Sequence, residues 1–166
     1  MSAHPLRAGL FVAAGHAWLA EMVEYCREAE AIGSDAIYLG DHLQASFGPE
    51  ATSDLRDAPT ILAGIAAATK KLDIGLLMAR TALRKPALLA RTALTIHAMS
   101  GGRMRIGLRA GWHDDEIKAF GFPADLRASS FAEADRRRVG SICTRRLRRT
   151  RLLGDASGPR WPPAVR

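Results

Sequence analysis

Short apolar runs alternate with amphipathic ones along the first three quarters of the chain, and this alternation constrains the fold more than any other feature. Strand-like runs cover residues 7–12, 36–39, 72–78 and 104–108. Intervals of roughly 30 residues are what a strand, a crossover helix and two loops require. Helix-like runs lie between them. Residues 18–32 set Trp18, Leu19, Met22, Val23, Cys26, Ala29 and Ile32 at three- and four-residue steps, with charged residues between. That spacing predicts one buried stripe on a polar helix, closed by Gly33 at the C-cap. After a polar loop over 41–56, Asp57 is expected to cap a second helix, with Pro59 in its first turn and a small apolar body over 60–69. A third helix opens near Pro86 and stops at Ser100-Gly101-Gly102, and a short fourth covers 114–120. Repeated parallel βα units mean that helices cover at least one sheet face. The pattern fits an open doubly wound sheet and a closed barrel equally well.

A net charge of +7 raises the question of a nucleic-acid partner, but the charge is unevenly spread. Residues 127–166 hold 11 Lys+Arg against 3 Asp+Glu, while residues 1–126 hold 13 against 14. The arginine clusters at 136–138, 145–146 and 148–149 can meet phosphates electrostatically. No aromatic platform or groove-reading helix accompanies them, so no specific nucleic-acid partner is expected. From about Arg127 the apolar spacing dissolves into Arg, Gly and Pro, which predicts disorder or a frayed helix. So abrupt a change is also what an out-of-frame reading of GC-rich coding sequence produces. The cysteines, Cys26 and Cys143, lack metal or redox spacing and fit a reducing compartment. No run is long and apolar enough for a signal peptide or a membrane span, so the expected location is the cytoplasm.

In parallel α/β folds the reactive groups gather at the C-terminal tips of the strands. The tips here are residues 12–15, 40–42, 78–80 and 109–111. The second is the most informative, because Asp41 and His42 leave a buried strand directly into a loop. An imidazole there is suited to giving or taking a proton near neutral pH. The bland reading stands beside it: Asp41 caps local backbone and His42 packs. At the fourth tip, Gly107 and Gly111 leave room for a flat ring to approach the backbone. Trp112 either walls such a pocket or anchors the next helix. Glu116, one turn later, is placed to orient that loop rather than to react.

An ordered series links these landmarks. It runs from residues 28–33 (EAEAIG) and 38–42 (YLGDH) through 65–69 to Arg84-Lys85-Pro86, then Ser100-Gly101-Gly102-Arg103, Gly111-Trp112, Glu116 and Ala119-Phe120-Gly121. In this order and spacing, residues 5–127 resemble the luciferase-like monooxygenase superfamily of flavin- and deazaflavin-dependent oxidoreductases. The nearest flavour is its deazaflavin-dependent branch.

The resemblance implies a (β/α)8 barrel that stacks a flavin or deazaflavin ring over its strand tips. It implies coenzyme F-420, with FMN as the alternative, and hydride transfer or oxygen activation on a small-molecule substrate. Carried over residue by residue, it gives His42 the catalytic role, supported by Asp41. It makes Asp41, Leu77, Met78, Thr81, Gly107 and Gly111 cofactor-binding, with a third-strand bulge and an unusual cis peptide at Leu77-Met78. No metal site is implied. Two departures stand out: Arg109 occupies a position that is glycine in the family pattern, and His97 occupies one that is acidic. Residues 128–166 match nothing in it. A complete barrel typically needs ~250 residues, so the expected fold is a truncated barrel of about the first four βα units. Such a unit is expected to be inactive alone and to self-associate through its open edges.

Overall fold

In a computed structural model the chain is described at residues 7–12, 19–44 and 55–136. The parallel strands β1 (Gly9–Val12), β2 (Ala36–Leu39), β3 (Asp73–Arg80) and β4 (Met104–Arg109) form one sheet in the order β1-β2-β3-β4. They are connected through α1 (Leu19–Ala31), α2 (Ala58–Ala68) and α3 (Pro86–Met99). After β4 come α4 (Asp114–Ala119), a 3-10 turn (Ala124–Leu126) and α5 (Arg127–Arg136). Each neighbouring pair of strands is parallel, with Leu10 opposite Ile37, Ile37 opposite Ile74 and Ile74 opposite Met104.

Those register partners all point to the same side, because side chains alternate across a strand. Ile37, Leu39, Ile74, Leu76 and Met104 are buried there against Met22 and Cys26 of α1, Leu62 and Ile65 of α2, and Leu89 and Ile96 of α3. The other face carries Phe11, Tyr38, Gly75, Leu77, Arg105, Gly107 and Arg109, and it is lightly covered: Phe11 is 60% and Leu77 47% exposed.

The helix ends follow local chemistry. Gly33 adopts φ 88°, and the N–H of Ser34 reaches back to the Ala29 carbonyl at 2.9 Å, which closes α1. Asp57 caps α2 by accepting the Thr60 N–H at 3.0 Å. Gly101 and Gly102 both take positive φ at the end of α3. Arg103 then turns back into the sheet's base. Its guanidinium donates to the carbonyls of Leu72 (2.6 Å), Thr69 (2.7 Å), Ala66 (3.0 Å) and Ser100 (2.7 Å). One side chain thus ties the last turn of α2, the start of β3 and the end of α3 together.

The expected elements are all present, with informative differences. Ile32 is 83% exposed rather than part of the α1 stripe, because the helix ends at Ala31 and Ile32 falls in the turn before Gly33. Trp18 lies outside the described residues. β3 runs on to Arg80, two residues past the expected end, because its register with β4 shifts between Leu76 and Ala79. Residues 127–136, expected to be disordered or a frayed helix, form the helix α5. This helix packs on α3 and buries Ala134 completely in the main core. The remainder of the basic tail, 137–166, lies outside the described residues.

Glycine at position 75 is a packing requirement. A Cβ there would collide with the Arg105 carbonyl oxygen and stand 3.0 Å from the Tyr38 ring, whereas one at Gly64 meets only the flexible Leu19 side chain. Gly75→Ala should therefore destabilise the fold by about 1–3 kcal/mol, and Gly64→Ala by clearly less, when both are compared by urea denaturation.

Candidate functional site

The strand tips are joined by buried charge. Asp41, directly after β2, is 1% exposed. Its carboxylate accepts the backbone N–H of Arg80 at 3.0 Å and the Arg84 guanidinium at 2.5 Å. Arg80, the last residue of β3, returns a hydrogen bond from Nε to the Asp41 carbonyl at 2.7 Å. Arg84 continues to the Asp57 carboxylate at 2.6 Å, so the second tip, the third tip and the N-terminus of α2 form one chain of contacts. Burial pushes the Asp57 carboxyl up, but its bonds to Thr60 and Arg84 outweigh this and hold it below its ordinary range.

Glu116, on α4, is completely buried beside this chain. Its Oε1 accepts the backbone N–H groups of Leu43 (2.5 Å) and Gln44 (3.2 Å) and pairs closely with Arg80. Its Oε2 faces Nδ1 of His42 at 3.1 Å and Nδ1 of His113 at 3.4 Å. Burial raises the Glu116 carboxyl, yet the bonds from His42, Arg80 and Leu43, with the Arg80 charge, bring it well below the usual carboxylate range. Glu116 is therefore an anion that fixes the loop after β2 and the orientation of the His42 ring.

His42 stands at the mouth with about a quarter of its side chain exposed, and Trp112 meets it edge-on at 6.2 Å between ring centres. Trp112 also lies 5.2 Å from the His113 ring and is 41% exposed, so it walls the space beside His42.

The third and fourth tips supply a platform. The peptide between Leu77 and Met78 is cis, within the irregular stretch of β3. A Cβ at Gly107 would stand 3.2 Å from Met78 Cγ and 3.5 Å from Leu77 Cδ1, so the bare glycine lets both side chains lie across β4. Gly111 has φ 100°, a backbone conformation that favours glycine.

Two supporting roles differ from those the sequence suggested. The Asp41 carboxylate binds Arg80 and Arg84, and Glu116, distant in sequence, holds His42. Thr81 is 2% exposed and gives its N–H (3.0 Å) and hydroxyl (3.3 Å) to the Arg109 carbonyl. It clamps β3 to β4 and does not line the open face. His42, Leu77, Met78, Gly107 and Gly111 do reach that face or its rim. Arg84 entered the sequence reading only as part of the Arg84-Lys85-Pro86 landmark and Arg80 only within the third tip, and neither they nor His113 were given a role. The only available signal was an arginine directly after an apolar strand, which has no meaning until its acidic partner is located.

Residues 3–136 match the family model described as luciferase-like monooxygenase, so the match continues past Arg127, where the resemblance was expected to end. The chain belongs to that family. Among curated proteins, it is 40% identical over 67 residues to pyrimidine monooxygenase RutA of Escherichia coli, a match covering 40% of this chain and 20% of the relative. The Klebsiella pneumoniae protein of the same name is 42% identical over the same length. An F-420-dependent secondary alcohol dehydrogenase, solved with an F-420–acetone adduct, superposes with TM-score 0.67 at 25% identity, covering 82% of this chain and 41% of its own. A riboflavin lyase with modified FMN and riboflavin gives TM-score 0.69 at 20% identity, covering 80% and 37%. The chain thus matches about a fifth of the curated relatives' length and about two fifths of these solved structures. No described helix is long and apolar enough to cross a membrane.

Removing the Glu116 carboxylate leaves the Arg80 charge buried without its partner, so Glu116→Ala should cost about 3–5 kcal/mol in chemical denaturation at neutral pH. Because folding lowers the Glu116 pKa, its contribution is complete above the unfolded value near ~4.3 and fades as pH falls further. Glu116→Gln should accordingly flatten the acid limb of the stability–pH curve.

Proposed function

We propose that the described sheet forms the ring-binding wall of a luciferase-like oxidoreductase, with His42 as its proton-exchanging residue. The observation that supports this best is the juxtaposition of an anchored imidazole with an exposed apolar platform. Nδ1 of His42 faces the buried Glu116 anion, while Leu77 and Met78 lie open beside the bare backbone of Gly107. We take coenzyme F-420 as the preferred partner and FMN as the alternative, following the F-420 and FMN ligands named for structural neighbours.

These residues suit a flat heteroaromatic ring with one apolar face and a polar edge. Leu77, Met78 and Gly107 offer van der Waals contact without a protruding charge, and Gly111 keeps the fourth tip low. Two buried polar atoms near the tips, Arg80 Nη1 and Asp41 Oδ1, have no hydrogen-bond partner among the described residues. Asp41 and Thr81 contribute indirectly, by fixing the third and fourth tips. A reduced flavin or deazaflavin, when bound, supplies the hydride or the electrons for oxygen activation.

The chain's own chemistry is proton handling. With Nδ1 donating to Glu116, His42 presents Nε2 as the atom that takes or gives a proton. General acid–base catalysis of this kind contributes typically ~10²–10⁴-fold. Trp112 limits water on one side of the imidazole.

Edges and faces bear on how the whole protein works. Among the described residues, the outer edges of β1 and β4 have no strand partner, and the inner face leaves Phe11 and Leu77 open. We propose that these described units are inactive until further barrel elements cover that face, and that they associate with one another through these edges.

Two measurements test these readings. Titration with F-420 or FMN should quench the ring's fluorescence saturably at micromolar concentrations, with F-420 the tighter ligand. Gly107→Leu, which fills the platform, should abolish the quenching while leaving the circular dichroism unchanged. Quenching by neither ring would remove the cofactor reading. In sedimentation velocity the chain should shift to larger species as its concentration rises, and a strict monomer throughout would rule out edge association.

A further inference from the structure

The C-terminal rim of the sheet is rich in charge, and several of its cations are paired with acids. Arg80 pairs with Glu116, Arg84 with Asp41 and Asp57, and Arg127 with Asp114. At the base of the open face, Arg105 pairs with Asp73 at 3.0 Å, and Asp73 also meets Arg7. Arg109 is different. It is partly buried on the same face of β4 as Arg105 and Gly107, opposite in direction to the core residue Leu108. Among the described residues its guanidinium has neither an ion pair nor a hydrogen bond.

Its backbone, in contrast, is fixed. The Arg109 carbonyl accepts both the N–H and the hydroxyl of Thr81, and its Cα lies in register with Arg80. A solvated arginine usually projects from a loop and costs little to leave unpaired. This one is rooted in a strand, on the side that carries Leu77 and Met78, at the end where His42 stands.

We propose that Arg109 selects substrates bearing a carboxylate, gripped by its guanidinium fork at the rim of the Leu77–Met78 platform. This rests on the ring-binding reading above and names the substrate class of the same site. The planar fork matches a carboxylate through two parallel hydrogen bonds, a geometry that lysine cannot reproduce. Partial burial strengthens the attraction relative to open solvent. The same chemistry would suit the phosphate of the coenzyme, so the test must separate the two sources.

The full chain, loaded with FMN, is titrated with benzoate and with its neutral counterpart benzamide, and binding is read from the flavin difference spectrum. Benzoate should bind about tenfold more tightly. Arg109→Gln should bring the two within about twofold, and Arg109→Lys should retain an intermediate preference. Equal binding by the unaltered protein, or a preference that survives in Arg109→Gln, overturns the proposal. So does an Arg109→Gln variant that keeps the benzoate preference but loses the preference for FMN over riboflavin, since Arg109 would then hold the coenzyme's phosphate. If no ring binds at all, the same titrations are followed by tryptophan fluorescence of the unloaded chain. A benzoate preference abolished by Arg109→Gln then supports the anion site although the cofactor reading has failed, and its absence overturns the site independently.

Discussion

A carboxylate with no exposed surface has to be answered by donors, and the arrangement of the rim follows from how Glu116 meets that demand. It draws the backbone of Leu43 and Gln44 inward, takes the charge of Arg80, and receives Nδ1 of both His42 and His113. The loop after β2, the end of β3 and the short helix α4 are thereby held by one side chain. A helix as short as α4 has little stability of its own, so its position depends on this buried anion and on Ile117 packing beside it. The orientation of His42 is consequently set by α4, which begins after β4, rather than by its own neighbours in sequence.

A second cluster does comparable work at the opposite end of the strands. Arg103 gathers the carbonyls that close α2 and α3, and Glu30 accepts the backbone N–H groups of Lys71 and Leu72 at 2.5 and 3.0 Å. These contacts satisfy backbone groups that helix and strand ends leave open. They involve long-range pairs, so they lock the order of the βα units as well as individual ends.

The fold was largely legible in the sequence because its signals are local. Strand β2 was bounded by an apolar run and Gly40, α2 by Asp57 and Pro59, and α3 by Pro86 and the paired glycines. The errors arose where local signals end. Ile32 continued the helical spacing beyond the residue at which the helix stops, whereas for α5 the polar sequence left disorder and a frayed helix both open until its contact with α3 is known. The site was legible in part for the same reason. His42 and the bare glycines of the fourth tip occupy positions that topology alone marks as reactive. The partner of His42 was obscured because Glu116 lies 74 residues away, and an acid immediately adjacent, Asp41, seemed the natural support. The Asp41 carboxylate is instead taken up by Arg80 and Arg84, so the neighbour in sequence was the wrong place to look.

The bonds from Thr81 to Arg109 involve only the latter's carbonyl, while among the described residues the guanidinium takes no part in the contacts that support the fold. Backbone and side chain at this position therefore answer to separate constraints. The strand end is retained whatever residue stands there, provided it fits the extended conformation, and the charge it shows to the open face is left to vary. If Arg109 meets a carboxylate as proposed, a change of side chain at position 109 would alter ligand preference while Glu116, Arg80 and Arg103 keep the scaffold unchanged.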